Sequence, residues 1–160
     1  MIKPLLLALA LLTVATGTAG AGDNRDTLLR CLSAAAQRYD VPADLLLLIY
    51  LNEGGSLGQA SRNLNATYDF GPFQINDTWL SRVAGHWGLP RPLTRELLLT
   101  QFCANADAAA WILRLNLDNA RGDMWEAVGL YHSATPGLKR RYLKQIYGRI
   151  VAILRGRRPD

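Results

Sequence analysis

The sequence is poor in the residues that build β-sheets. Valine and isoleucine together account for 12 of its 160 residues, whereas leucine and alanine account for 50. Because β-branched side chains favour strands and Leu and Ala favour helices, this composition predicts a mainly helical protein and argues against an all-β sandwich. A length of 160 residues matches one domain of ordinary size.

Metal-binding residues are also scarce. The chain has two cysteines, Cys31 and Cys103, and two histidines, His86 and His132. They do not form the CxxC or HxxxH spacings that are typical of metal sites, which argues against a bound metal.

Charged residues are nearly absent from the N-terminus, where Lys3 is the only one before Asp23. A Leu/Ala block runs over residues 5–12, and small residues occupy positions 19–21. The apolar block is about half as long as a membrane-spanning helix, which argues against an anchor. We therefore expect residues 1–21 to be a secretory signal peptide cleaved near Ala21, and residues 22–160 to form one exported domain.

Both cysteines lie in the part predicted to be exported, where an oxidising compartment favours disulfides. Two cysteines allow one intramolecular pairing, and 71 residues separate Cys31 from Cys103. Closing a loop of that length would stabilise the fold by about 4 kcal/mol. We expect a Cys31–Cys103 disulfide.

Glutamate is rare, and one of the three glutamates has an unusual position. A helix predicted from about Pro42 to Asn52 is apolar nearly all round, as expected of a buried central helix. Glu53 follows it, and Gly54-Gly55 provides the stop signal. Desolvation there would raise the pKa of Glu53 and make it a general acid. The alternative is a side chain that points outward from the helix end.

The next segment, residues 63–76, is rich in amides and aromatic residues and contains one carboxylate, Asp69. Amides can bind sugar hydroxyl and N-acetyl groups, and aromatic faces can pack on pyranose rings. The segment is therefore typical of a sugar-binding cleft, or else of an Asx-rich loop with a short hairpin near residues 67–73.

Four further helical regions follow. We expect helices from Asp77 to about Trp87 and from Thr94 to about Leu117, the latter broken near Asn105. A capping box of Asp123 and Glu126 begins a short helix that ends near Tyr131. A last helix opens at Thr135-Pro136, with an apolar face formed by Leu138, Tyr142, Ile146, Ile150 and Ile153.

Taken together, these residues resemble the catalytic core of the lysozyme-like lytic transglycosylases, especially the small exported members that accompany conjugation, type IV pilus and secretion machines. The resemblance covers about residues 31–147. It rests on Glu53, residues 68–76 (YDFGPFQIN), Trp79, Cys31, Cys103, residues 108–113 (AAAWIL) and residues 131–133 (YHS). It implies a mainly α, lysozyme-like (SLT-type) single domain located in the periplasm or at the cell wall.

The resemblance also implies roles for individual residues. Glu53 would protonate the glycosidic oxygen between N-acetylmuramic acid and N-acetylglucosamine in peptidoglycan strands. The muramic acid C6 hydroxyl would then attack C1 and leave a 1,6-anhydro end, so no metal or organic cofactor is needed. Gln74 would line the cleft, Tyr131 would lie close to Glu53, Phe73 would form part of the apolar cleft wall, and Tyr68 would contact substrate.

This sequence departs from the family pattern at three places. Gly54 stands where many members have Ser, Phe73 where Met is usual, and His132 where Asn is common. Asp69 resembles the second carboxylate of animal c-type lysozymes, which use two acids and water. A hydrolytic muramidase that uses Glu53 and Asp69 is therefore an alternative, and a non-catalytic glycan-binding or assembly scaffold is a second one.

The C-terminal part is basic, with eight Lys or Arg residues and no acid from Lys139 to Arg158. This stretch could attract an anionic cell-wall polymer, dock on a component of a secretion, conjugation or pilus apparatus, or be a solvated helix face. We expect no nucleic-acid partner, because no recognition motif is present, and we expect a monomer.

Overall fold

The computed structural model describes the backbone of residues 21–156 and the side chains of residues 25–156. The predicted signal peptide therefore lies outside the described residues, apart from Ala21. Within them the chain is mainly helical, as its composition predicts. The helices are α1 (Ala21–Tyr39), α2 (Ala43–Glu53), α3 (Leu80–Trp87), α4 (Arg91–Thr100), α5 (Phe102–Asn119), α6 (Met124–His132) and α7 (Pro136–Leu154), and a 3₁₀ turn, η1 (Asp77–Trp79), precedes α3.

Helix α2 is the buried helix that the sequence predicts. Leu45, Leu46 and Ile49 are at most 4% exposed, and the helix packs between α1 and α7. Gly54 ends it in the left-handed conformation (φ 63°) and donates its N–H to the Tyr50 carbonyl. Glu53 is therefore its last residue, held at a fixed position by the core beneath it.

Helix α5 is the longest buried element. Four alanines, Ala106 and residues 108–110, are fully buried, and α1, α4 and α6 pack against this helix. The predicted break in this region is at Gln101 rather than near Asn105. Gln101 takes an extended conformation (φ −118°, ψ 110°), so α4 ends before it and α5 begins after it.

A small antiparallel sheet follows α2. Its strands are β1 (Ala60–Arg62), β2 (Tyr68–Phe70) and β3 (Ile75–Asn76), in the order β1-β2-β3. The predicted hairpin near residues 67–73 is therefore too short. Strand β2 pairs with β3, which extends to Asn76, and it also pairs with β1. Asp69 lies in the middle strand, opposite Ser61 on one side and Asn76 on the other.

The predicted disulfide is confirmed. Cys31 of α1 is bonded to Cys103 of α5, with their Cα atoms 4.9 Å apart. The same two helices are also joined by polar contacts, because Asp107 accepts hydrogen bonds from Arg38 and from the Tyr39 hydroxyl, each at 2.8 Å.

Helix starts agree with the sequence where a side chain caps the backbone. Asp123 accepts a hydrogen bond from the Glu126 N–H, which confirms this half of the predicted capping box. Helix α4 begins at Arg91 rather than Thr94, because Pro90 and Pro92 both suit a helix N-terminus. No helix within residues 21–156 is long and apolar enough to cross a membrane.

Candidate active site

An open cleft of about 830 Å³ lies between the sheet and the ends of helices α2 and α6. The cleft is lined by Glu53, Asp69, Gln74 and Tyr131, although the first and the last are 78 positions apart in sequence. The structure thus brings together four of the residues that the sequence singles out. Trp79 of η1 and Leu138 of α7 complete the apolar part of the wall.

Glu53 has the most altered acidity of the described carboxyl groups. The pKa of Glu53 is raised from 4.5 to about 7, mainly by burial and to a smaller extent by the negative charge of Asp69. A hydrogen bond from Tyr142 acts in the opposite direction, since it stabilises the charged form. The carboxyl group is therefore close to half protonated at neutral pH, as a general acid requires.

Tyr142 fixes the orientation of this carboxyl group. Its hydroxyl donates to Glu53 Oε1 at 2.6 Å, across 89 residues of sequence. The tyrosine is 2% exposed, and the ring of His132 stacks on it with centroids 4.7 Å apart and planes 3° apart. Because Tyr142 is buried and stacked on His132, it holds Oε1 in a defined position.

Asp69 is held by a network of amides. Its two carboxylate oxygens accept from Asn63 Nδ2 at 2.9 Å and from Asn76 Nδ2 at 2.7 Å. The Thr67 hydroxyl accepts from the same two amides and donates to Asn65 Oδ1. The Asx-rich segment is therefore an ordered, hydrogen-bonded support for the Asp69 carboxylate at the wall of the cleft.

One glycine, Gly55, allows the loop to approach the chain after Glu53 closely. A Cβ atom on Gly55 would collide with the Gly71 carbonyl oxygen and with Gln74 Nε2. Gln74 itself takes a left-handed conformation (φ 48°), and its Nε2 donates to the Gly71 carbonyl at 2.8 Å. Gly55 thus lets the Gln74 side chain lie directly against the chain that leaves Glu53.

A buried asparagine supports the loop from below. Asn105 is fully buried, and its Nδ2 donates to the carbonyls of Phe70 and Leu98 while its Oδ1 accepts from the Phe73 N–H. Above it, the Tyr131 hydroxyl donates to the Phe73 carbonyl at 3.1 Å. These bonds fix the backbone between the sheet and Gln74.

Tyr131 lies beside both carboxylates. Burial raises its pKa well above the usual range, and the negative charges of Glu53 and Asp69 raise it further. The tyrosine is therefore a neutral hydrogen-bonding group at any pH that the fold tolerates.

Two sequence-predicted residues lie elsewhere. Phe73 is fully buried and packs against Tyr50 and Phe102, so it belongs to the core and not to the cleft wall. Tyr68 is 39% exposed on β2 and is not among the residues that line the cleft. The turn of the chain at Gly71 (φ 67°) and Gln74 sends Gln74 to the cleft and Phe73 inward.

Tyr142 and Asn105 are the two site residues that sequence reasoning missed. Tyr142 was visible as a hydroxyl on a helix face otherwise made of Leu and Ile. Asn105 was visible as a polar residue within an alanine-rich helix. The Glu53 partner of Tyr142 is 89 residues away, and two of the three partners of Asn105 are 32 and 35 residues away. The sequence pattern therefore shows that each polar group is unusual at its position but does not show which groups it binds.

Two relatives are similar in sequence to this chain over most of its length. Protein IpgF of Shigella flexneri is 31% identical to it over 129 residues, which cover 77% of this chain and 80% of the relative. Protein IpgF of Shigella sonnei has the same identity and coverage. No family model matches the sequence. The extent and identity of these matches show that the chain belongs to the IpgF family.

Proposed function

We propose that this protein is a peptidoglycan lytic transglycosylase that cleaves the β-1,4 bond between N-acetylmuramic acid and N-acetylglucosamine. The observation that carries the proposal is Glu53, a single carboxyl group with a pKa of about 7 at the wall of an open cleft. The resemblance of residues 31–147 to lysozyme-like transglycosylases supplies the substrate class, and the amides and aromatic residues of the cleft suit a glycan.

In the first step, protonated Glu53 gives its proton to the glycosidic oxygen, and the bond to C1 of the muramic acid breaks. Tyr142 occupies Oε1, so we assign the proton transfer to Oε2. The Asp69 carboxylate, held in place by its two amide donors, stabilises the positive charge that develops at C1.

In the second step, the C6 hydroxyl of the same muramic acid attacks C1 and forms the 1,6-anhydro bond. Its proton passes to the Glu53 carboxylate, which restores the acid for the next cycle. No water is consumed, and one carboxyl group serves both steps because the nucleophile is already attached to the substrate.

The proposal includes a lysozyme-like fold and an exported location. A mainly helical domain with a buried helix that ends in a carboxylate, followed by a small sheet beside the cleft, supports this fold. The Cys31–Cys103 disulfide supports folding in an oxidising compartment such as the periplasm. There the enzyme would open the wall locally for an envelope-spanning secretion, conjugation or pilus machine.

A hydrolytic muramidase is the second candidate, and Asp69 favours it. This carboxylate lines the same cleft as Glu53 and interacts with it electrostatically. In a hydrolase, Asp69 would act as nucleophile or as electrostatic stabiliser, and water would complete the reaction.

Mass analysis of the products separates the two candidates. Purified peptidoglycan is digested with the protein, and the soluble muropeptides are compared with those from a known hydrolytic muramidase. A transglycosylase releases 1,6-anhydro ends, which weigh one water less than reducing ends. Reducing ends alone would replace the lyase with the hydrolase, and no release at all would favour a non-catalytic glycan-binding protein.

We expect Tyr142→Phe to move the alkaline limb of the pH–rate profile to higher pH by about one pH unit. The Tyr142 hydrogen bond lowers the pKa of Glu53, so its removal raises that pKa. The acid form of Glu53 then persists to higher pH. The measurement is the rate of muropeptide release over a pH series.

Tyr131→Phe is the matched control, because it also removes a hydroxyl beside the cleft. The Tyr131 hydroxyl donates to the Phe73 carbonyl and not to Glu53. This variant should leave the position of the alkaline limb unchanged even where it alters the rate. An equal displacement in both variants would contradict a specific role for Tyr142.

A further inference from the structure

Helix α7 has two different faces. Tyr142 and Ile146 are buried and pack towards the core and Glu53. On the opposite side, Arg140, Lys144, Tyr147, Leu154 and Arg155 are all exposed. The spacings of three, four and seven residues place the first four of them on one side of the helix, and Arg155 follows directly at the helix C-terminus. We call these five residues the outer ridge.

The outer ridge is basic without any compensating acid. Residues 136–156 contain six Lys or Arg residues and no Asp or Glu. Lys139 forms an ion pair with Glu126, and Arg149 donates to Asn52 Oδ1. Arg140, Lys144 and Arg155 take part in no salt bridge within residues 25–156. The ridge therefore presents a concentrated positive field to its surroundings.

The same ridge exposes apolar surface. Tyr147 is 67% exposed and Leu154 is 80% exposed, the largest values for apolar or aromatic side chains in the described helices. Burial of these two side chains would be favourable, yet nothing within residues 25–156 covers them. Cations beside exposed apolar groups on one helix face are typical of a surface that binds at a membrane interface.

We propose that the outer ridge binds the surface of an anionic lipid bilayer. Arg140, Lys144 and Arg155 would contact lipid phosphates, and Tyr147 and Leu154 would enter the headgroup region between them. A polyanion in solution could use the cations but would leave the apolar groups exposed. A bilayer accommodates both the cations and the apolar side chains. Its deformable surface also fits a convex helix better than a preformed pocket would.

A bilayer bound to the outer ridge would lie close to the cleft. Tyr142, on the inner face of α7, holds Glu53, so only the thickness of one helix, about 10 Å, separates the outer ridge from that contact. Binding by the ridge would therefore keep the cleft close to the membrane surface. The binding itself does not depend on the proposed chemistry, because the residues of the ridge do not line the cleft.

Vesicle sedimentation tests the proposal. The exported protein is purified, and its N-terminus is determined by mass spectrometry. It is then mixed with vesicles of phosphatidylcholine alone or of phosphatidylcholine with phosphatidylglycerol. We expect sedimentation with the acidic vesicles only. Arg140→Glu combined with Lys144→Glu should weaken this binding about tenfold or more. Failure of the parent protein to sediment with acidic vesicles would overturn the proposal.

Two further variants distinguish a bilayer from other acidic partners. Arg30→Glu combined with Arg91→Glu changes net charge equally at exposed residues outside the ridge, and it should weaken binding much less. Equal weakening of binding would show that net charge alone accounts for it, and would overturn a specific role for the outer ridge. Tyr147→Ser combined with Leu154→Ser should also weaken binding several-fold, since it removes the inserted groups. Unchanged binding in that pair would identify a simple polyanion site instead of a bilayer site. Circular dichroism verifies that each variant is folded.

Discussion

Replacement of Glu53 by glutamine is expected to lower the rate of muropeptide release by about 10²- to 10⁴-fold. Glutamine retains the size of the side chain and can still accept the Tyr142 hydrogen bond, but it has no proton to transfer. The measurement is the release of soluble fragments from purified peptidoglycan by equal amounts of each protein. A Glu53→Gln variant that keeps its full activity would exclude the proposed mechanism.

Glu96→Gln is the matched control for this substitution. Glu96 is exposed on α4 and is absent from the lining of the cleft, so the same chemical change there should leave the rate unaltered. Loss of activity in both variants would point to a general defect and not to acid catalysis by Glu53.

The pH dependence of the free energy of unfolding tests whether the Glu53→Gln variant is folded like the parent protein. The pKa of Glu53 is about 7 in the folded protein, against an ordinary value of 4.5. As the pH rises between these values, the unfolded chain loses this proton first, so folding stability that is complete below pH 4.5 falls until about pH 7. The free energy of unfolding should therefore be similar for both proteins at pH 4. Above pH 7 it should be about 3 kcal/mol higher for the variant.

Removal of the Cys31–Cys103 disulfide is expected to lower the free energy of unfolding by about 4 kcal/mol. The bond closes a loop between residues 72 positions apart, and its loss restores that freedom to the unfolded chain. Small domains have only about 5–15 kcal/mol of stability in total, so the effect should be large in a denaturant titration of Cys31→Ala/Cys103→Ala.

The folded form of this variant should keep its cleft. Helices α1 and α5 remain joined by Arg38, Tyr39 and Asp107, and neither cysteine lines the cleft. Reductant should lower the stability of the parent protein by a similar amount and leave the variant unaffected. Equal denaturation midpoints for parent and variant, with the parent oxidised, would contradict a stabilising bond.

Features set by short-range chemistry could be predicted from the sequence. The apolar residues before Glu53 and the glycines after it define a buried helix with a desolvated carboxyl group at its end. The direction of the pKa shift could be predicted from those neighbours, whereas the contributions of Asp69 and Tyr142 come from other parts of the chain. The disulfide could be predicted because two cysteines leave only one pairing.

Features set by long-range packing could not be predicted. The partner of Tyr142 lies 89 residues away, and two of the three backbone groups that Asn105 binds lie 32 and 35 residues away. The direction of Phe73 was predicted wrongly because a left-handed residue follows it at Gln74, and no local pattern indicates which of the two side chains turns inward.

The hydrogen bond between Tyr142 and Glu53 joins α2 to α7, the last helix within residues 21–156. The acid is synthesised early, but the hydroxyl that orients it is supplied only when α7 has docked. A partly folded or truncated chain without α7 would carry the Glu53 carboxyl group without the hydroxyl that orients it. Under the proposed function, acid catalysis would therefore require that α7 is in place.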